Sequence, residues 1–251
     1  YILTHAFEVV DLLTQEQVDA FLPSFEPVQM LDPQDPVSIG AMVGPEAFAE
    51  VRYLAHHKHV KALEALPRIS QEFQNIFQRP SGGLLRQYRT EEAETLLLAL
   101  GSVNGTIKDA VDDLRAEGWP VGSIQLCSYR PFPSQALRHA IKHAKRVIVI
   151  EKDLAVGKGG IVSGEVKIAL QGSSTLVDTV IAGLGGRPIS KAAVIDTVKA
   201  ACLEGLEEPH FLDLNWEAIN RELTRQAEQR RSGPTPENLL REMGRSGGKI
   251  V

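Results

Sequence analysis

The sequence predicts an α/β domain, an open and mostly parallel sheet with helices on both faces, and three observations predict it. Within residues 95–153, apolar runs open at Thr95, span Val121 to Ser128 and close at Asp153, each about as long as an average strand. A stretch of helical period follows each of the first two. The run Val147 to Ile150 has no alternation of apolar and polar residues, which is the pattern of a strand covered on both faces of a parallel sheet. The result is a β-α-β-α-β unit whose crossovers are expected to be right-handed.

The helix after the first strand is set by Ile107, Ala110, Val111 and Leu114, which recur at i, i+3, i+4 and i+7. Lys108, Asp109, Asp112 and Asp113 then fall on the solvent face, and Gly118 stops the helix. In the next helix Ser134 is placed to cap, and Leu137, Ile141 and Ala144 line the inner side. Arg138, Lys142 and Lys145 sit toward its carboxyl end, where cations suit the dipole. Ile161 to Leu170 reads as a further helix, and Ser174 to Ala182, rich in Thr, Val and Ile, as a fourth strand. After a turn from Gly183 to Pro188, a helix runs from Ser190 through Leu203 with Val194, Val198 and Cys202 on one side.

Around this domain, expected at residues 89–205, three other stretches are distinguishable. Residues 1–40 hold a short helix at Gln15 to Phe21 and then Pro23, Pro27, Pro33 and Pro36, so they should run extended as a linker from a preceding domain. Residues 41–88 form a helical connector. Its apolar stripe of Phe48, Val51, Leu54, Leu63, Leu66, Ile69, Phe73 and Phe77 is broken near Pro67, as in two helices or one kinked helix. Residues 206–251 hold an aromatic patch at Phe211 and Trp216, a charged helix to about Arg231, and a short helix from Thr235 to Met243 in a polar tail that frays or docks on a partner. Tyr1 in place of a start methionine points to a piece of a longer polypeptide.

At 251 residues and 43% hydrophobic, the chain can bury a full core. No apolar run approaches the roughly 20 residues of a membrane span, and the first residues lack a signal-peptide pattern, so a cytoplasmic location is expected. A net charge of -5 gives no basic footprint for nucleic acid. Cys127 and Cys202 are expected to be buried free thiols. His56 and His59 would share a helix face, but a metal site needs more ligands than this pair supplies, and a solvated face is the default. His139 and His143 lie beside Arg138 and Lys142, which suits a cationic helix face better than a catalytic base.

Ligands of an open α/β sheet bind beyond the carboxyl ends of its strands, which here carry Gly101 to Gly105, Tyr129 to Pro133 and Glu151 to Gly160. The first is Gly-x-x-x-Gly, lacks the dinucleotide fingerprint, and argues against nicotinamide binding. Arg130 beside Phe132 offers a charge and an aromatic ring on a Pro-Phe-Pro frame, as an interface contact or as a structural ion pair with a carboxylate such as Glu151. Gly157, Gly159 and Gly160 could wrap an anion or let a helix pack close to the sheet. Gly185 and Arg187 complete the candidates, as parts of a loop near a subunit contact. No Ser-His-Asp, Cys-His or paired-carboxylate constellation can be assembled, so no catalytic, cofactor-binding or metal-binding residue is assigned.

Five stretches in this order, Ile2 to Asp11, Tyr88 to Glu94, Gly101 to Arg115, Tyr129 to Pro133 and Ala182 to Arg187, resemble the alpha subunit of pyruvate:ferredoxin oxidoreductase and of related 2-oxoacid:ferredoxin oxidoreductases. The likeness is to the carboxyl-terminal part with domain II. It implies a fold like the transketolase carboxyl-terminal domain, with residues 1–40 following a pyrimidine-binding domain. In such enzymes the thiamine ylid attacks a 2-oxoacid, carbon dioxide leaves, electrons pass to iron–sulfur clusters, and coenzyme A takes the acyl group. Implied for the complex are thiamine diphosphate, magnesium and 4Fe-4S clusters, thiamine-diphosphate-binding and iron–sulfur partner subunits, and ferredoxin or flavodoxin as electron acceptor. This segment has neither the Gly-Asp-Gly motif nor cluster cysteines, so it is expected to bind none of these cofactors alone and to serve assembly and completion of the site walls. Pro188 stands where many relatives carry Asp after Gly-Gly-Arg.

Pyruvate is the expected substrate, with 2-oxoglutarate, a branched-chain 2-oxoacid or oxalate as alternatives inside the family. A non-catalytic α/β binding or interaction module is the alternative outside it.

Overall fold

The computed structural model describes residues 9–38, 40, 42–228 and 235–245. Most of the Ile2 to Asp11 stretch and parts of the polar tail lie outside the described residues. The strands are β1 Leu85–Tyr88, β2 Thr95–Ala99, β3 Val121–Leu126, β4 Arg146–Glu151, β5 Leu176–Ile181 and β6 His210–Phe211. The helices are α1 Gln15–Phe21, α2 Phe48–Phe77, α3 Val103–Ala116, α4 Ser134–Ala140, α5 Val162–Ala169, α6 Lys191–Leu203, α7 Trp216–Glu228 and α8 Thr235–Arg245.

The strands form one sheet in the order β1-β3-β2-β4-β5-β6. β1 runs antiparallel to β3, and every other neighbouring pair is parallel. The open, mostly parallel sheet is the one expected. It starts at Leu85 and ends at Phe211, however, so it draws an edge strand from each side of the 89–205 span.

Side chains alternate along a strand, and β2 therefore feeds two cores. Leu96 and Leu98 join Leu137 and Ile141 near α4 and Val162 and Val166 of α5 on one face. Leu97 and Ala99 join the stripe of α3 and Val194, Val198 and Ala201 of α6 on the other. All of β2 is buried, and each fully buried Leu contributes roughly 1.5–3 kcal/mol. Helices do cover both faces.

The two crossovers of the β2-α3-β3-α4-β4 unit step opposite ways over opposite faces and so share one hand, but the connection to β6, beyond that unit, breaks the pattern. The connections β4-α5-β5 and β5-α6-β6 step the same way across the sheet but pass over opposite faces, so they have opposite hands. Packing explains the exception. On its face only α3 would otherwise shield Ile148, Ile150, Val180 and Ala182, and α6 lies beside α3 over those residues.

Three local expectations are corrected, and one open choice is decided. Ser134 is the first residue of α4, and its N-cap is Pro133 without a side-chain cap; Leu137 N–H bonds the Pro133 carbonyl at 2.9 Å and closes the turn. Cys202 is exposed and Cys127 only partly buried, because the inner face of α6 is Val194, Thr197, Val198 and Ala201. Asp112 and Asp113 are half-buried ion-pair partners of Arg89 and Lys191 rather than freely solvated groups. Of the two readings of residues 48–77, two helices or one, the single helix holds, and α2 runs through Pro67.

Phe21 of α1 meets Phe73 and Phe77 of α2 edge-on, with ring centroids 5.6 and 5.4 Å apart. The amino-terminal half of α2 lies open. From Phe48 to Lys61 every residue except Ala55 is exposed.

Candidate functional site

β2 is the first strand of the parallel set and lies between β3 and β4. From its end the chain moves toward β3 over one face, and it returns past β2 to β4 over the other. The ends of β2 and β4 therefore part at a topological switch point, where such sheets open a crevice. A cleft of ≈ 300 Å³ lies there, lined in part by Gly101, Ser102, Val103, Lys152, Asp153 and Ile189.

Its two walls are held differently. On the β2 side, Gly101 takes φ +71°, a conformation that suits glycine. The buried Asn104 donates from Nδ2 to the carbonyls of Ala99 at 3.2 Å and Gly101 at 2.9 Å, which fixes the turn into α3. Ser102 is the N-cap of α3 but makes no side-chain cap. On the β4 side, Glu151 borders the cleft but is buried, and its carboxylate is bound to the start of α5. Its Oε2 accepts from the N–H groups of Ile161 at 2.8 Å and Val162 at 2.7 Å, and its Oε1 from Ser163 at 2.9 Å. The carboxylate thus fills the amino end of α5, a position that favours anions. The cleft is left with the opposite charges of Lys152 and Asp153 and an apolar floor from Ile150 and Ile189, a surface suited to close against another wall.

The seven residues singled out from sequence lie in loops beyond the carboxyl ends of β3, β4 and β5, but they do not converge on one pocket. Arg130 stacks on its neighbour Tyr129, with Cζ 4.2 Å from the ring centroid, and its Nη2 bonds Oε1 of Glu165 on α5 at 2.6 Å. The ion-pair reading of Arg130 had the right kind of partner in the wrong place, because Glu151 is committed to α5. Phe132 packs edge-to-face on Tyr129 at 6.2 Å and against the α4–α5 core. Gly157 is exposed in a tight loop closed by an Ala155–Gly159 bridge. Gly159 faces Pro209, and Gly160 lies against Glu151 and Ser163. Gly185 is open to solvent, while Arg187 donates from Nη1 to the Asp213 carbonyl and so ties the β5 loop to the stretch before α7.

The cleft residues Ser102, Lys152, Asp153 and Ile189 were not singled out, although two of the three loops were. Their signal is strand order, and spacing alone does not reveal which strand ends are neighbours.

Among the described residues no three His, Cys, Asp or Glu side chains converge as a metal-binding group, and a cluster held by four thiolates needs more than the two cysteines of this chain. The donor set here does not fit a four-thiolate iron–sulfur cluster. No helix among the described residues is long and apolar enough to cross a membrane.

Residues 93–194 match the family model for pyruvate:ferredoxin oxidoreductase core domain II. Over 226 residues the chain is 38% identical to pyruvate synthase subunit PorA of Methanosarcina barkeri, covering 87% of this chain and 56% of the relative. It is 35% identical over 190 residues to ketoisovalerate oxidoreductase subunit VorA of Pyrococcus horikoshii, covering 74% of this chain and 48% of the relative. A solved 2-oxoglutarate:ferredoxin oxidoreductase from Magnetococcus marinus is similar at a TM-score of 0.39 and 21% identity, covering 59% of this chain and 23% of that one. The chain spans about half the length of the curated relatives it matches.

Proposed function

The chain belongs to the 2-oxoacid:ferredoxin oxidoreductase family, with core domain II at residues 93–194, and on that premise we propose that it is part of the alpha subunit of a thiamine-diphosphate-dependent pyruvate:ferredoxin oxidoreductase. The enzyme would convert pyruvate and coenzyme A to acetyl-CoA and carbon dioxide, reversibly, with ferredoxin or flavodoxin taking the electrons. The observation that carries this reading is the 38% identity to a pyruvate synthase subunit across 87% of the chain. A second such subunit is 37% identical over 199 residues. The ketoisovalerate relative keeps a branched-chain 2-oxoacid as the substrate to test against pyruvate.

Thiamine diphosphate, magnesium and clusters belong to partner subunits in this reading, since the sequence holds no Gly-Asp-Gly motif and two cysteines only. The work of the segment is mechanical and steric. Its sheet holds a rigid carboxyl edge, and the switch-point cleft, with Lys152 and Asp153 at its lip, supplies a wall to be completed by another domain or subunit.

Reconstitution is the test. The thiamine-diphosphate-binding and iron–sulfur subunits are assembled with and without the alpha subunit that contains this segment, and coenzyme A-dependent dye reduction is followed with pyruvate, 2-oxoglutarate and 3-methyl-2-oxobutanoate. Turnover of pyruvate that requires the alpha subunit is the expected result. Equal turnover without it would overturn the reading.

A further inference from the structure

The stretch between α1 and α2 is an exposed, acidic and apolar strap, and we propose that it docks into a cationic, apolar-walled channel on a partner subunit of the oxidoreductase. The inference rests on the subunit reading above.

Geometry comes first. Phe21, the last residue of α1, is held by Phe73 and Phe77 near the carboxyl end of α2, whereas Phe48 begins that helix. The strap must therefore travel back along α2, about 38 Å from Phe73 to Phe48 at 1.5 Å per residue. Its residues from Leu22 to Ala47 could reach roughly 85 Å if fully extended. More than twofold slack lets the strap stand away from the helix and follow another surface.

Its side chains are arranged for such a surface. Phe25 is 89%, Val28 99% and Met42 99% exposed, and Met30, Leu31 and Val37 are exposed as well. Scattered exposed apolar residues are ordinary; six within 18 positions of one segment, none of them covered by the other described residues, are a contact surface without its partner. Prolines 23, 27, 33, 36 and 45 restrict the backbone, which lowers the entropy lost when the strap is immobilised.

Charge identifies the occupant. Every Asp, Glu, Lys or Arg between Leu22 and Ala47 is acidic, namely Glu26, Asp32, Asp35 and Glu46. The first Lys or Arg of the whole chain is Arg52. A partner for this strap must present cations between apolar pockets, since such complementarity sets register and rejects wrong surfaces. The start of α2, with Arg52, Lys58 and Lys61, has the right charge but is not the occupant here, because those residues and the apolar side chains of the strap are all exposed.

The test uses the assembled complex of the complete alpha subunit with its thiamine-diphosphate-binding and iron–sulfur subunits. Benzoylphenylalanine replaces Phe25 in one preparation and Met42 in another, and the crosslinks formed on illumination are mapped by mass spectrometry. In parallel, Glu26→Gln, Asp32→Asn, Asp35→Asn and Glu46→Gln are combined and subunit affinity is measured at low and high salt. Crosslinks to a Lys- or Arg-flanked segment of another subunit are expected, with at least tenfold weaker assembly of the neutralised variant at low salt and a smaller difference at high salt. Crosslinks to α2, in the same copy or a second copy of this chain, overturn the proposal, as does undiminished assembly of the neutralised variant. Failure of the unaltered alpha subunit to assemble with those subunits would overturn the functional reading and this inference with it.

Discussion

A β-carbon on Gly160 would lie 2.1 Å from Oε1 of Glu151 and 2.3 Å from Oγ of Ser163. Glycine is required there for space, because the carboxylate at the end of β4 must reach the first N–H groups of α5. Gly160→Ala is expected to destabilise the domain by about 2–4 kcal/mol, the range of changes that break a buried polar network. Glu151→Gln, which removes the charge and turns one acceptor into a donor facing N–H groups, should cost about 1.5–3 kcal/mol. The two changes break the same cap, so the double variant should lose less than the sum. Urea midpoints check all three, and an unshifted midpoint for Gly160→Ala would show that Glu151 does not cap α5.

Arg130 illustrates a different balance. Its pair with Glu165 is short, but the Arg130 side chain is 53% exposed, and exposed pairs are worth about 0–1 kcal/mol. Stacking on Tyr129 adds about 0.5–1 kcal/mol at such a site. Arg130→Ala should therefore cost the isolated domain no more than about 2 kcal/mol, and a double-mutant cycle with Glu165→Ala should give a coupling under about 1 kcal/mol. If the loop also meets a partner subunit, the same substitution will weaken assembly out of proportion to that loss. A larger coupling, with assembly unchanged, would assign Arg130 to the fold alone.

What was legible in the sequence follows from how strongly burial writes a pattern. β2, β3, β4 and β5 were readable because central strands are apolar runs, and α3 because Ile107, Ala110, Val111 and Leu114 form a clean stripe. β1 and β6 left no such mark. β1 is an edge strand of four residues with none fully buried, and β6 has only two residues. The opposite hand of the α6 connection was hidden too, since it depends on which face lacked cover. For the site, the loops at the ends of β2 and β4 could be named, but their meeting in one cleft depends on β2 lying between β3 and β4. Glu151, named as a possible partner of Arg130, was not recognised as the cap of α5 because its three N–H donors come from residues 10–12 positions later.

The two thiols should be separable by reactivity. Cys202 is exposed on α6, whereas Cys127 is partly buried, and that burial pushes its thiol pKa up, only partly offset by the charge and backbone of Arg86. Since the thiolate is the nucleophile, a disulfide reagent at pH 8 should modify Cys202 at least about tenfold faster than Cys127, and Cys202→Ser should abolish the fast phase. The raised pKa has a definite sign for stability. Above roughly pH 8.5 the unfolded chain releases the Cys127 proton while the folded chain retains it, so this group lowers stability as pH rises and contributes nothing below that range. Cys127→Ala should flatten the alkaline fall in urea midpoint. A steeper fall in the variant would contradict the assigned environment.

Val111 and Asp112 are adjacent on α3 and should respond very differently to substitution. Val111 is 0% exposed inside the core shared by α3 and α6. Val111→Asp would bury an unpaired carboxylate, at a cost of about 4–5 kcal/mol or more, enough to unfold a domain of ordinary stability. Asp112 accepts from the Tyr88 hydroxyl at 2.9 Å and pairs with Arg89 Nε at 2.7 Å, but its side chain is 42% exposed. Asp112→Asn keeps an oxygen for Tyr88 and loses the ion pair, which argues for about 0.5–1 kcal/mol. That loss should be local, because Tyr88 ends β1 and β1 is joined to the sheet only through β3. Hydrogen exchange should therefore speed up in the β1 amides of Asp112→Asn while those of β2 and β4 stay protected. Equal shifts in urea midpoint for the two variants would show that the buried face of α3 had been misassigned.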